Sequence, residues 1–302
     1  MKAVTVLAPA KLNLTLDVVG IEPNGYHSLD MLMQTIDLYE TIILRPSMGL
    51  TLRLPGSRVP ANDSNTAIKS ALAFFHYTGL LAGVDIEIHK KIPVRAGMAG
   101  GSADAAGVLV GLNTLYQAKL SMSELCAIGA TVGSDVPFAL LGGTARVKGV
   151  GDLMKALPPC PDCYFVVCMP TVGISTPKAF ARYDQMGSSV HPDGDAAEQA
   201  IRHQDLYALG KQMKNALEEC SESSHNQAIR QILDKEGAIA SMMTGSGAAV
   251  FGIFDNLQQA QQAANCLRQS YRQVYLQKPC KGGAVVVQAI RHNQKPHWYA
   301  RR

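Results

Sequence analysis

A glycine-rich segment, Ala96-Gly-Met-Ala-Gly-Gly-Ser102, has the composition most suited to binding a phosphate. It follows an alternating apolar stretch over residues 84–88 that predicts a strand, and it runs into small and apolar residues that predict a helix. Free backbone N–H groups and the positive end of the helix dipole attract anions at such a junction. The segment lacks the Gly-Lys-[Ser/Thr] ending of a P-loop and the spacing of a dinucleotide fold. Alone, it indicates either a phosphate site or a tight connection.

Four other positions carry groups capable of acid, base or binding chemistry, and each also has a plain structural explanation. Lys11 lies on the polar side of an alternating strand and is typical of an exposed lysine. Asp135 precedes a short helical turn and is typical of a helix cap. His27 follows a turn, as polar loop residues often do, and Thr244-Gly-Ser-Gly247 between two strands is typical of a hairpin. No single position decides the function.

The seven cysteines are odd in number and irregularly spaced, which argues for reduced thiols and against a disulfide framework. Only Cys160-Pro-Asp-Cys163 resembles a motif. A thioredoxin-type pair opens a helix after a strand, whereas this pair precedes the strand-like stretch 164–169. Because there is no second pair and no histidine at zinc-finger spacing, we interpret it as a linker turn. The sequence assigns no metal ligands.

Composition limits the classes of protein that fit. Of the 302 residues, 47% are hydrophobic and 17% are charged, against a usual charged fraction of about 25%, so a sizeable core can be buried. The formal net charge of +4 suits small anionic ligands better than nucleic acid. No apolar run reaches the ~18 residues of a membrane span, and the first residues lack a signal-peptide pattern. We therefore expect a cytoplasmic protein without nucleic-acid or membrane partners.

The elements that must position these residues alternate between strands and helices. Residues 11–18 alternate strictly between polar and apolar side chains and predict a strand with one buried face. Ser64 or Asn65 is placed to cap a helix, and the Pro- and Cys-containing stretch 158–163 is the best linker candidate. The pattern predicts an α+β protein. We place its two domains at 1–157 and 164–290, with a loosely held tail at 291–302.

Three segments occur in a characteristic order along the chain: Pro9-Ala-Lys-Leu-Asn13, Pro93-Val-Arg-Ala-Gly-Met-Ala-Gly-Gly-Ser102 and Met243-Thr-Gly-Ser-Gly-Ala248. Together they resemble the signature motifs of the GHMP kinases, named for galactokinase, homoserine kinase, mevalonate kinase and phosphomevalonate kinase. The resemblance spans residues 4 to about 290. The Asn24-Gly-Tyr-His27 turn and Gly133-Ser-Asp-Val-Pro137 make it strongest to the branch that acts on 4-diphosphocytidyl-2-C-methyl-D-erythritol.

The resemblance implies a two-domain GHMP kinase fold. Its N-terminal domain would be like the second domain of ribosomal protein S5, its C-terminal domain would be a ferredoxin-like sandwich, and the active site would lie between them. The implied reaction transfers the γ-phosphoryl group of ATP, with Mg²⁺, to the 2-hydroxyl of that methylerythritol substrate, in the non-mevalonate route to isoprenoid precursors. Asp135 matches the general base, and Lys11 matches the cation that keeps it ionised and orients the hydroxyl.

The resemblance also assigns binding residues. ATP is expected to contact Asn65 and the loop formed by Pro93, Val94, Arg95, Ala96, Gly97, Met98, Ala99, Gly100, Gly101, Ser102 and Ala103. The substrate is expected to contact Asn13, Tyr26, His27, Thr176 and Phe180, with the aromatic rings sandwiching the cytosine. Gly245, Ser246 and Gly247 are expected to close the cleft beside the phosphates. Ala103 departs from many relatives, which have a second serine there; a backbone cradle tolerates this change, whereas a hydroxyl contact is lost.

Two other functions stay open at the level of sequence. Another GHMP kinase, acting on homoserine or a mevalonate-type alcohol, would not need the Tyr26-His27 turn or Phe180, because those acceptors carry no base to stack. A non-catalytic module that binds RNA or anions would need a basic face with exposed aromatic residues, which the modest net charge and the 6% aromatic content disfavour. The sequence assigns no oligomeric state.

Overall fold

A computed structural model describes residues 1–23, 25–221 and 223–290 and contains two sheets with helices packed on them. Asn24 and the predicted tail at 291–302 lie outside the described residues. The first sheet consists of β1 (Ala3–Ile21), β2 (His27–Ser47), β3 (Leu50–Arg53), β4 (Gly83–His89), β5 (Thr144–Gly149), β6 (Leu153–Ala156) and β11 (Val285–Ile290). Its order is β11-β1-β2-β4-β3, with β5 paired to β2 and β6 to β5. The helices of this half are α1 (Thr66–Thr78), α2 (Gly100–Leu115), α3 (Met122–Ala130) and α4 (Val136–Leu141).

The second sheet is antiparallel and has four strands: β7 (Tyr164–Met169), β8 (Ala240–Met243), β9 (Val250–Phe254) and β10 (Gln273–Gln277). The helices of this half are α5 (Thr176–Met186), α6 (Gly194–Arg202), α7 (Leu206–Gln212), α8 (Ser224–Lys235) and α9 (Leu257–Arg268). The strand order is β10-β7-β9-β8, with helical connections from β7 to β8 and from β9 to β10. This is the ferredoxin-like arrangement, and the predicted α+β fold is confirmed.

Helix α2 is built to lie very close to the first sheet. A Cβ atom on Gly107 would lie 2.6 Å from Ile42 Cδ1, and one on Gly111 would lie 2.3 Å from Leu44 Cδ1. The small residues read from the sequence therefore bring the helix backbone against β2, where the buried aliphatic side chains of β1 and β2 form the core. This packing fixes the position of the α2 N-terminus.

Two features of the chain path were not anticipated. The apolar segments around residues 31–38 and 41–45 predict separate strands from the sequence, whereas in the structure they form one strand of 21 residues, β2. The last described strand, β11, pairs antiparallel with β1, so residues 285–290 belong to the first sheet. The domain limits 1–157 and 164–290 stay a prediction. The pairing of β11 with β1 shows that the end of the predicted second domain joins the sheet of the predicted first domain. Among the described residues, no helix is both long and apolar enough to cross a bilayer.

The two halves are joined by hydrogen bonds as well as by the core. The amide of Leu16 in β1 donates to the carbonyl of Lys214, and the amide of Ala216 donates to the carbonyl of Leu16. The amide of Asn13 donates to Thr244 Oγ1 at 3.0 Å. The middle of β1, around Asn13, therefore lies directly against the loop that connects β8 with β9.

Candidate active site

A cavity of about 490 Å³ lies between the two halves. Most of the residues singled out in the sequence line it, namely Lys11, Asn13, Asn65, Pro93, Val94, Arg95, Ala96, Gly97, Met98, Ala99, Gly100, Gly101, Asp135, Thr176, Phe180, Gly245 and Ser246. The lining does not include Tyr26, His27, Ser102, Ala103 or Gly247. Two glycine loops, one acid–base pair and one aromatic ring thus share a single cleft.

The first glycine loop ends at the unpaired N-terminus of α2. Ala99 precedes the helix with a φ of 56° and makes no side-chain capping bond. The first amide groups of a helix lack partners within the helix, and the N-cap residue Ala99 supplies none for them. Arg95, with a φ of 55°, and Gly97, with a φ of 74°, turn the backbone so that the loop wraps this end. The arrangement leaves N–H groups and the positive helix end available to an anion.

The second glycine loop, between β8 and β9, holds the first one in place. The amide of Ala248 donates to the Arg95 carbonyl, and the amide of Ala249 donates to the Ala96 carbonyl, both at 3.2 Å. A Cβ atom on Gly97 would lie 2.1 Å from the carbonyl oxygen of Thr244, so only glycine permits this approach. The hydroxyls of Thr176 and Ser246 lie 2.7 Å apart and attach α5 to the same loop.

Asn215 is a supporting residue that the sequence did not reveal. It is 1% exposed, and its Nδ2 donates to the carbonyls of Met243 and Gly245 at 2.9 and 2.8 Å. These bonds satisfy buried carbonyls at both sides of the second glycine loop. The sequence around this asparagine carries no signal of its role, since its partners follow about thirty positions later.

Lys11 and Asp135 form an ion pair at the cavity wall. Lys11 Nζ lies 3.7 Å from Asp135 Oδ2 and 2.5 Å from Asn13 Oδ1. The lysine side chain is 7% exposed and that of Asp135 is 31% exposed. The interpretation of Lys11 as an exposed lysine is therefore wrong, and Asp135 makes no capping bond to α4. The ammonium lies beside the carboxylate, which faces the cavity and can accept a proton from a hydroxyl there.

Asn65 lies at the cavity, but both ends of its amide are engaged. Its Oδ1 accepts from the amide of Ala67, which caps α1, and its Nδ2 donates to the carbonyl of Pro60 at 2.8 Å. The capping function predicted for this position is therefore realised.

Two of the three ring-bearing residues expected to bind the base contact each other directly. The rings of His27 and Phe180 stack directly on each other, with centroids 4.6 Å apart and an interplanar angle of 27°. A base between them would require two stacking distances, each of about 4.5 Å or more between centroids, so no base fits between these two rings as they stand. Tyr26 is 68% exposed, outside the cavity lining. Of the three, Phe180 alone presents its ring to the cavity.

A buried charge cluster beneath the first glycine loop was also missed from sequence. Lys90 Nζ lies 2.6 Å from both Glu40 Oε1 and Asp104 Oδ2, and 3.4 Å from the carbonyl of Gly100. Burial raises the pKa of Asp104 to about 7, although Lys90 opposes this shift. The cluster joins β2, the end of β4 and the first turn of α2, so it anchors the helix end. Its members come from three distant segments, which no local pattern connects.

The described residues contain no cluster of three or more His, Cys, Asp or Glu side chains able to hold a metal ion. Cys160 and Cys163 are both buried and reduced. A hydrogen bond to Cys160, together with burial, raises the pKa of the Cys163 thiol. A buried thiol with a raised pKa is unreactive, in keeping with a linker turn.

Comparison with known proteins identifies the family. The model of the GHMP kinase N-terminal domain matches residues 65–143, and that of the GHMP kinase C-terminal domain matches residues 197–273. The 4-diphosphocytidyl-2-C-methyl-D-erythritol kinase of Carboxydothermus hydrogenoformans is 41% identical over 261 residues, covering 85% of this chain and 90% of that protein. The kinase of the same name from Alkaliphilus metalliredigens is 37% identical over 281 residues, covering 91% of this chain and 96% of that protein.

Solved structures agree with this assignment. A crystal structure of a 4-(cytidine 5'-diphospho)-2C-methyl-D-erythritol kinase superposes with a TM-score of 0.78 at 32% identity, covering 92% of this chain and 100% of the other. Homoserine kinase from Cytophaga hutchinsonii superposes with a TM-score of 0.77 at 18% identity, covering 95% of this chain and 98% of the other. At this identity the superposition shows a shared fold alone. The matched domains contain the first glycine loop, Asp135 and the second glycine loop. Because both matches are to kinase domains, the alternative of a non-catalytic RNA-binding module is excluded. The chain belongs to the GHMP kinases and is a small-molecule kinase.

Proposed function

We propose that this kinase transfers the γ-phosphoryl group of ATP to the 2-hydroxyl of 4-diphosphocytidyl-2-C-methyl-D-erythritol. The observation that carries the proposal is the Lys11–Asp135 pair, which faces the same cavity as the bare N-terminus of α2. The relatives of that name at 35–41% identity support this choice of acceptor. The homoserine kinase at 18% identity gives no comparable support for homoserine.

In the proposed mechanism the backbone amides at the start of α2 hold the ATP phosphates, and Arg95 offsets part of their charge. Asp135 accepts the proton of the acceptor hydroxyl as the oxygen attacks the γ-phosphorus. Lys11 pairs with the Asp135 carboxylate and orients it towards the hydroxyl, and Asn13, which accepts a hydrogen bond from Lys11, keeps the ammonium in place. These groups all lie in the first half. The second glycine loop, from the other half, holds the first glycine loop in place, so both halves contribute to the positioning by which a kinase lowers the barrier.

We propose Mg²⁺ as the ion that accompanies the nucleotide and offsets charge on its phosphates. Among the described residues that line the cavity, the acidic ones are Asp104 and Asp135, and Asp104 is already paired with Lys90. Mg²⁺ is usually bound by phosphates, water and one or two carboxylates. The donor set therefore fits an ion delivered with ATP better than a resident metal.

An ADP-release assay with three acceptors tests the proposal. The cytidine-linked methylerythritol should be phosphorylated with a kcat/KM at least about 100-fold above those of homoserine and mevalonate, because only the first acceptor engages a base-binding wall. Phosphorus NMR of the product should show a phosphate ester at the 2-position. Comparable turnover of homoserine or mevalonate would assign the chain to another branch of the family.

A further inference from the structure

Helix α5 encloses the imidazole of His27 on three sides. Phe180 stacks on the ring at 4.6 Å, and Tyr183 meets it edge-on with centroids 6.2 Å apart. Asp184 Oδ1 accepts a hydrogen bond from His27 Nε2 at 2.7 Å. Since Phe180 and Asp184 are four residues apart, they lie on the same face of the helix, one turn from each other. The His27 side chain is consequently only 14% exposed, although it follows a surface turn.

The cavity lies on the other side of this assembly. Phe180 lines the cavity together with Leu16, Leu29 and Leu217, whereas His27 and Asp184 do not line it. The imidazole thus supports the phenyl ring from outside the cavity. A phenyl ring supported in this way loses little conformational entropy when a ligand stacks on it, because its orientation is already restricted.

We propose that Asp184 is a positioning residue for recognition of the substrate base: it fixes the His27 imidazole, and the imidazole holds the Phe180 ring at the cavity wall. The inference rests on the function proposed above. In this proposal His27 acts by supporting Phe180, in addition to any contact with the base. Asp184, which lies outside the signature motifs, acts by fixing His27. Asp184 is 47% exposed, so its effect is that of a partly solvated hydrogen bond and not of a buried charge.

Steady-state kinetics of Asp184→Ala test the proposal. The KM for the cytidine-linked substrate should rise about 3- to 10-fold, while kcat and the KM for ATP change less than about 2-fold. Asp184→Asn retains an acceptor oxygen for His27 Nε2 and should restore most of the loss. The double variant with His27→Ala should be no worse than His27→Ala alone, since Asp184 acts through the imidazole.

The matched control is Asp255→Ala, which removes a carboxylate that accepts from the Tyr207 hydroxyl at 2.6 Å, away from the cavity. It should leave all three kinetic constants unchanged. If Asp184→Ala lowers kcat and raises both KM values together, the residue merely stabilises the fold and the proposal is overturned. An unchanged KM for the cytidine-linked substrate overturns it as well.

NMR spectroscopy of the protein without substrate tests this inference independently of the proposed function. In ¹⁵N-labelled protein, the side-chain resonances of His27 should move towards those of an exposed histidine in Asp184→Ala and much less in Asp184→Asn. Unchanged His27 resonances in the alanine variant contradict the positioning role. Failure of the wild-type enzyme to phosphorylate the cytidine-linked substrate would instead refute the proposed function and leave the His27 result standing.

Discussion

Replacing Gly97 with alanine should separate the two glycine loops and weaken nucleotide binding. Gly97 has a φ of +74°, and this backbone conformation costs an L residue about 1–2 kcal/mol. The new Cβ would lie 2.1 Å from the Thr244 carbonyl oxygen, whereas real contacts of this kind are not shorter than 3.0 Å. The loops must therefore move apart by about 0.9 Å, and overpacking of this sort adds about 1–3 kcal/mol. The free energy of unfolding should fall by about 2–5 kcal/mol in total.

Gly79→Ala provides the matched control. Gly79 ends α1 with a φ of +67°, and a Cβ atom added there would meet no neighbouring atom within 4 Å, so its replacement costs only the backbone strain of about 1–2 kcal/mol. Urea unfolding gives the two free energies, and calorimetry with ADP and a non-hydrolysable ATP analogue gives the affinities. Loss of one hydrogen bond between the displaced loop and a phosphate costs about 1.5–3 kcal/mol, so the Kd should rise at least about 10-fold for Gly97→Ala alone. Equal destabilisation of the two variants with unchanged Kd values would refute the loop-contact argument.

Two further predictions concern the cavity wall and the buried charge cluster. Phe180→Ala should raise the KM for the cytidine-linked substrate by roughly 5- to 150-fold with a smaller effect on kcat, since stacking of a base on an aromatic ring is worth about 1–3 kcal/mol; a parental KM would exclude stacking on this ring. Burial raises the pKa of Asp104 to about 7, while an unfolded aspartate ionises near 4. The native state therefore binds more protons than the unfolded state between these values, and the wild type should lose stability relative to Asp104→Asn as the pH rises from about 4 to 7. A difference in urea midpoints that does not vary with pH contradicts this assignment.

Local patterns predicted the parts of this site that depend on a few neighbouring residues. The glycine loop before α2, the strand that carries Lys11 and the glycine loop at 244–247 were all recognised from residue type and spacing. The burial of Lys11 was not recognised, because the alternation of a strand does not reveal which other segments of the chain cover its polar face. Here the second glycine loop covers it, and that loop comes more than 230 positions later.

Contacts between distant segments account for the rest of what the sequence did not reveal. Lys90 is flanked by charged and polar residues typical of a strand end, yet two buried carboxylates from other segments enclose it. The stacking of His27 on Phe180 depends on how α5 packs against the start of β2. The pairing of β11 with β1 depends in the same way on the path of the whole chain. Such arrangements follow from tertiary packing, which residue periodicity does not encode.

The rate of the chemical step in Asp135→Asn is the most direct test of the proposed chemistry. Single-turnover transfer from γ-labelled ATP to the cytidine-linked substrate should be slower than in the wild type by about 10²- to 10⁴-fold, the usual contribution of a general base, with ADP affinity retained. Lys11→Ala should show a loss of similar order, and the double variant should be little worse than either single variant, because the two groups act as a unit. A transfer rate near that of the wild type in Asp135→Asn would contradict the assignment of this pair as the catalytic groups.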